Sequence, residues 1–336
     1  MPNKGTQRVT MKEIARETGF SVNTVSKALR DAPDLSGQTK RMIRDVAKRL
    51  GYVANNMASA LRSGYSSVLA LIVGDISNPF FGILCKEIEQ QAARHNYTVI
   101  VFNTEEDPEK EDRAVRTALS QNVDGVLLAP SQNGAQAVRL LQAYGKPCVL
   151  IGRYFADRAA DAVLYDDENG GYLAGKHLLE CGCRNLLMIN APHNSSAENR
   201  AKGFARAMTE VPGAKSRMLT VESPLGGVPS ALRQAYEQET IDGIFAYSDL
   251  FAMKAIWTLD EMGVEPGTVR IVGFDDIQSR LSLSMPLTTI GAGKAAFGQA
   301  LVELLMKRIS GDMSDFPVQQ VLPTKLVVRK STRQES

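Results

Sequence analysis

The chain has 336 residues, of which 44% are hydrophobic and 23% charged, with a formal net charge of +2 at pH 7. That length predicts two or three domains, and the composition is that of a globular protein rather than a disordered or fibrous one. No apolar run reaches membrane-span length, and "MPNKGTQRVT" has no apolar core for a signal peptide, so a cytoplasmic protein is expected.

Charge is unevenly spread. Residues 1–64 hold 12 Lys/Arg against 5 Asp/Glu, and the remainder 27 against 32. The basic first segment suits an anionic partner, or is simply a solvated face. Cys181 and Cys183 form a C-x-C with no second pair at zinc spacing, which favours reduced thiols over a metal site. His95, His177 and His193 sit in no nucleophile or metal motif. The stretch "GAGKAAFG" lacks the spacing of a phosphate loop and reads as a helix start. No catalytic residue, metal or cofactor is expected, and therefore no enzyme.

In chain order, Thr10 and Glu13 make an S/T-x-x-E capping box before an apolar stripe of Met11, Ile14 and Ala15, which Gly19 ends. Ser21 is a good N-cap for a second helix over 22–30, with Val25, Ala28 and Leu29 inward. The short Gly-containing turn between them predicts a helix-turn-helix. A third helix runs from Ser36 to Gly51, with Met42, Ile43, Val46 and Leu50 inward. "YVANNMASALRSGYSS" follows as a marginal helix, capped by Asn55, that dissolves into a linker. From Val68 buried strands such as "VLALIV" and "NLLMIN" alternate with helices. The fold class is α/β, with parallel sheets covered on both faces, and about 270 residues of it predict two lobes.

Six motifs lie in this order: "VTMKEIARETGFSVNTVSKALRD", "LGYVANNMASALRSG", "DISNPFFGIL", "SSAENRAKGFARAM", "VRIVGFDD" and "PLTTI". Together they resemble the LacI/GalR family of bacterial transcription repressors. The resemblance implies a helix-turn-helix head at 1–52 and a hinge helix and linker at 53–66. It further implies an N-terminal effector lobe at 67–163 plus 291–321, and a C-terminal lobe at 164–290 plus 322–332, like a periplasmic binding protein.

In that family the second head helix enters the major groove of DNA. Val22, Asn23 and Lys27 would then face base edges, while Thr10, Ser21, Thr24 and Ser26 would lie near phosphates. Asn can read adenine through both its groups, Lys can donate to guanine, and Val can only pack on a thymine methyl. Lys27 stands where members often carry Arg and lacks its two-pronged contact, which implies looser reading. Thr39 and Tyr52 fit phosphate contacts or ordinary surface equally. In the hinge, Leu61 matches a leucine that wedges into the minor groove, with Asn55, Ala58 and Arg62 as its neighbours. Ala54 replaces a proline common just before the hinge.

Between the lobes the resemblance places a small-molecule effector, held by residues that follow strand ends. These are Asp75, Asn78, Phe80, Phe81, Arg153, Arg200, Ser248, Asp249 and Asp275, although Asp275 could equally brace a loop. Two departures stand out: the loop "VESPLGGVPS", with Ser223 and Pro224, offers no stacking aromatic, and Tyr165 replaces a common acidic residue. The expected protein is a homodimeric repressor on a pseudo-palindromic operator in double-stranded DNA, switched by a sugar or sugar derivative. "RKSTRQES" offers no tetramerising heptads. The alternatives are a purine-like co-repressor and, further off, a solute-binding protein without DNA.

Overall fold

Capping residues place the first three helices. The computed structural model describes residues 9–53, 64–132, 134–157, 159–192, 194–222, 226–279 and 286–333, in two compact units divided between Ser66 and Ser67. In the first unit, α1 (Met11–Thr18) begins where the Glu13 carboxylate accepts the Thr10 backbone N–H at 2.6 Å. It ends at Gly19, whose φ of 73° is the left-handed conformation that lets its N–H reach the Ala15 carbonyl. Ser21 caps α2 (Val22–Leu29) through the Thr24 N–H at 3.0 Å, and Ser36 caps α3 (Gly37–Arg49) in the same way. Ile14, Val25, Ala28 and Ile43 are fully buried and meet in one small core. Met42, expected inward, is 47% exposed. It lies about 100° around the helix from Ile43, beyond the edge of a narrow apolar stripe.

Ser21→Ala should cost the head about 1 kcal/mol, since it orphans the Thr24 amide. Faster hydrogen exchange of that amide in the full chain would report it; unchanged exchange would mean the cap is idle. The hinge positions Ala54, Asn55, Ala58, Leu61 and Arg62 lie outside the described residues, as do His193, Ser223 and Pro224.

The second unit holds two six-stranded sheets. One comprises β1 (Val68–Val73), β2 (Thr98–Asn103), β3 (Gly125–Leu128), β4 (Cys148–Ile151), β5 (Asp161–Tyr165) and β11 (Gln319–Leu322), in the order β11-β5-β4-β3-β1-β2, all parallel. The other comprises β6 (Asn185–Asn190), β7 (Lys215–Thr220), β8 (Gly243–Ala246), β9 (Arg270–Phe274), β10 (Thr288–Gly291) and β12 (Lys325–Val327). Its order is β12-β10-β9-β8-β6-β7, parallel apart from the antiparallel edge strand β12. The chain passes between the sheets three times, after β5, β10 and β11.

Strand alternation buries both faces of each sheet. Leu69, Leu71 and Val73 pack with α4 (Pro79–Arg94) and α11 (Lys294–Ile309), while Ala70 and Ile72 pack with α5 (Pro108–Ser120) and α6 (Ala135–Ala143). In the second sheet Leu186 and Met188 share a cluster with α7 (Asp167–Glu180) and α8 (Ser195–Met208). Leu187 and Ile189 share one with α9 (Gly227–Gln238) and α10 (Asp249–Glu261). The stretch read as a loop through 221–230 therefore turns helical at Gly227. Among the described residues no helix is long and apolar enough to cross a membrane.

Candidate functional site

On the head, the outward face of α2 carries Ser21, Val22 and Asn23, all exposed, with Val22 at 41%. Thr24, Ser26 and Lys27 are half-buried on the same short cylinder, and Thr10 is exposed at the start of α1. The Lys27 ammonium lies 2.5 Å from the Asp34 carboxylate, with both side chains substantially in solvent. Thr39 donates its backbone N–H to Ser36 Oγ, and Tyr52 packs against the head core, so Tyr52 is anchored rather than loose surface. An exposed methyl-bearing side chain, an amide and a cation on one capped helix make a surface able to read base edges.

In the body, both sheets turn their switch points toward one cavity of about 570 Å³. From the first sheet, Asp75, Asn78, Phe80 and Phe81 follow β1, Gln132 follows β3 and Arg153 follows β4. From the second, Asn194, Ser196 and Arg200 come from α8 and the turn before it, while Tyr247 and Ser248 follow β8 and Asp275 follows β9. This is where ligands of open α/β sheets bind, outside the strand carboxyl ends where strand order reverses.

Eight of the nine residues expected at the cleft line it. Asp249 does not. It occupies the first position of α10 and is 1% exposed; one carboxylate oxygen accepts the Thr289 hydroxyl at 2.5 Å and the other the Ile277 N–H at 2.9 Å. Burial pushes its carboxyl up to about 8, helped by the nearby Asp275. Its role is to hold the loop after β9.

The two arginines are already engaged. Arg153 forks onto Glu106 at 2.7 and 3.1 Å and donates to the Pro130 carbonyl at 2.8 Å. Arg200, 5% exposed, donates Nε to Asp167 at 2.8 Å and Nη1 to the Tyr247 carbonyl at 2.5 Å, with its guanidinium 3.5 Å above the Phe274 ring. Asp275 is 9% exposed with a left-handed φ of 110°. Burial pushes its carboxyl up to about 6, against the opposing pull of Arg200 and Lys294. Strain of that kind persists only where surrounding structure enforces it. Here Lys294, 3% exposed at the start of α11, donates its ammonium to the backbone carbonyls of Asp275 and Asp276.

Comparison with known proteins places the two parts of the chain in one family. The description "Bacterial regulatory proteins, lacI family" matches residues 10–55, and "Periplasmic binding proteins and sugar binding domain of LacI family" matches residues 66–327. The chain belongs to the LacI family. The HTH-type transcriptional regulator DegA of Bacillus subtilis is 30% identical over 332 residues, 97% of this chain and 98% of DegA. A ribose operon repressor of Halalkalibacterium halodurans is 32% identical over 327 residues, covering 96% and 97%. Among solved structures, a LacI-family regulator of Enterococcus faecium with bound ribose is 27% identical, with a TM-score of 0.70, covering 80% of this chain and 100% of that one. The lac repressor dimer bound to operator shares the fold, with a TM-score of 0.83 at 22% identity over 98% and 100%.

This LacI-family protein is thus a DNA-binding transcriptional regulator with a ligand-binding effector domain, and the relatives named are transcriptional regulators and repressors, not enzymes. Several cleft residues of the regulator escaped the sequence reading: Glu105, Glu106, Gln132, Asn194, Ser196, Glu222 and Tyr247. All but Ser196 sit within a few residues of a strand's carboxyl end, a signal available once every strand is located. Tyr165, noted only as a departure, stacks on Phe297 at 4.2 Å and forms part of the cavity wall.

Proposed function

We propose that this regulator is a cytoplasmic, dimeric repressor of a pseudo-palindromic operator, released from DNA when a sugar or sugar derivative enters the interlobe cavity. The reading is carried by one combination: a capped α2 presenting Val22, Asn23 and Lys27, in the same chain as a two-lobed cavity lined by carboxylates, amides and aromatic rings. Two recognition helices address two half-sites, hence the dimer. A relative named as a ribose operon repressor and a solved relative with bound ribose support a small polar effector. The ligand acts by binding one arrangement of the lobes more tightly than the other, and the linker over 53–66 relays the difference to the heads.

The test is operator selection from random DNA, followed by affinity measurements at several salt concentrations. A selected site with two-fold symmetry and a steep salt slope is expected. Asn23→Ala is expected to weaken that site by about 1–3 kcal/mol, with little change on unrelated DNA. A salt-insensitive or sequence-blind protein would refute the reading. Titrating a binding sugar into the complex gives the sign: loss of affinity marks an inducer, gain a co-repressor.

A further inference from the structure

The cavity's charge and hydrogen-bonding inventory narrows its ligand further. Five carboxylates line it: Asp75, Glu105 and Glu106 from the first lobe, and Glu222 and Asp275 from the second. Against them stand two cations, Arg153 and Arg200, and among the described residues the lining holds no lysine or histidine. Both arginines already hold a carboxylate, Arg153 that of Glu106 and Arg200 that of Asp167, and Glu105 is paired in turn with Lys110 from outside the lining, which leaves Asp75, Glu222 and Asp275 with no ion pair among the described residues.

Helix N-termini are the other usual source of anion affinity, and three of them border this cavity. Each gives one first-turn N–H to its own cap residue. Asn78 Oδ1 accepts the Phe80 N–H at 3.0 Å, Asn194 Oδ1 the Ala197 N–H at 3.0 Å and Ser248 Oγ the Phe251 N–H at 3.4 Å. Asn78 and Asn194 therefore use their carbonyl oxygens internally. Five carboxylates against two arginines nevertheless make the lining rich in acceptors and net negative. Glu105 and Glu106 also hold left-handed φ angles of 55° and 58°, an unusual conformation for such residues, within this lining.

Resting on the reading of the cavity as an effector site, we propose that the ligand is a hydroxyl-rich ring without negative charge, an unphosphorylated sugar or amino sugar, and that the site rejects its phosphate esters. Sugar hydroxyls and a protonated amine are donors, which the carboxylates accept. A phosphate dianion offers only acceptors and meets like charge from both lobes. Phe80, Phe81 and Tyr247 supply flat apolar faces for the ring's C–H surface.

The experiment is thermal unfolding and calorimetry of the full-length protein with matched probes: ribose and ribose 5-phosphate, glucose, glucosamine and glucose 6-phosphate, galactose and galactose 1-phosphate, with adenine and guanine as hydroxyl-free controls. At least one uncharged or amino sugar is expected to raise the Tm, with its phosphate ester binding at least about tenfold more weakly. In a Glu105→Gln/Glu222→Gln double variant the gap between sugar and ester is expected to narrow about threefold or more. The proposal is overturned if an ester binds as tightly as its parent, if no sugar or amino sugar shifts the Tm, if only the purines do, or if the double variant leaves the gap unchanged. Operator binding by the same preparation separates these failures from failure of the repressor reading.

Discussion

Asp275→Asn is expected to make the unliganded protein more stable at pH 7, by up to about 3 kcal/mol, while abolishing its response to ligand. The carboxyl is 9% exposed and titrates near 6 because burial opposes its charge. Among the described residues its side chain accepts no hydrogen bond, so the amide breaks none. The native state keeps this proton to higher pH than the unfolded chain, whose carboxylate titrates near the ordinary 3.8. Stability from this group is therefore intact below about pH 4 and is lost as pH rises through about 6. The asparagine variant has no proton to lose. Its melting temperature should match wild type near pH 4 and exceed it by pH 7, and the two curves should diverge between. A variant less stable than wild type at pH 7 would show that Asp275 is a structural brace. Buried charge kept at a cost, on a strained backbone held by Lys294, supports the proposed role of Asp275 in accepting the ligand.

The interior strands were legible because both of their faces are buried, which makes "VLALIV" and "NLLMIN" continuous apolar runs. The edge strand β2 keeps an apolar run, "TVIVFN", and was legible too, but the other edge strands carry no such signal. In β7, "KSRMLT" alternates exposed and half-buried positions, and β11 and β12 are short, with no fully buried residue. Their strand identity comes from a neighbour's unpaired edge, which no local pattern encodes. Helix starts were readable in the head because Ser21 and Ser36 act through short-range geometry. The cavity was partly readable from the same logic. Asp75, Asn78 and Arg153 follow strands that were visible, whereas Glu222 follows β7, which was not. Asp249 was misplaced because the residue after a helix cap can turn either outward or beneath the helix, and the choice is made by Thr289 and Ile277, distant in sequence. Lys294 gave no signal at all, since a lysine near a helix start normally points to water.

Gly171→Ala is expected to cost about 3 kcal/mol and to weaken ligand binding more than tenfold, though it introduces a better helix former. A Cβ at this position in α7 would lie 2.0 Å from the backbone carbonyl oxygen of Arg200 in α8, and one at Gly203 would lie 1.8 Å from the Glu168 carbonyl. Backbone atoms cannot rotate aside, so the two helices must part. Arg200 and Asp167 bond across that contact at 2.8 Å, and Arg200 also stacks on Phe274, so separation disorders the cavity wall directly. Gly82→Ala, inside α4, is the control. Its Cβ would enter open space, and the substitution is expected to stabilise by about 0.5–1 kcal/mol through helix propensity alone. Urea unfolding and sugar titration of both variants provide the measurement. If Gly171→Ala were as harmless as Gly82→Ala, the close approach of α7 and α8 would not be what holds Arg200 in place. Opposite signs would tie the geometry of the proposed ligand site to Gly171, which contributes no atom of its own to the lining.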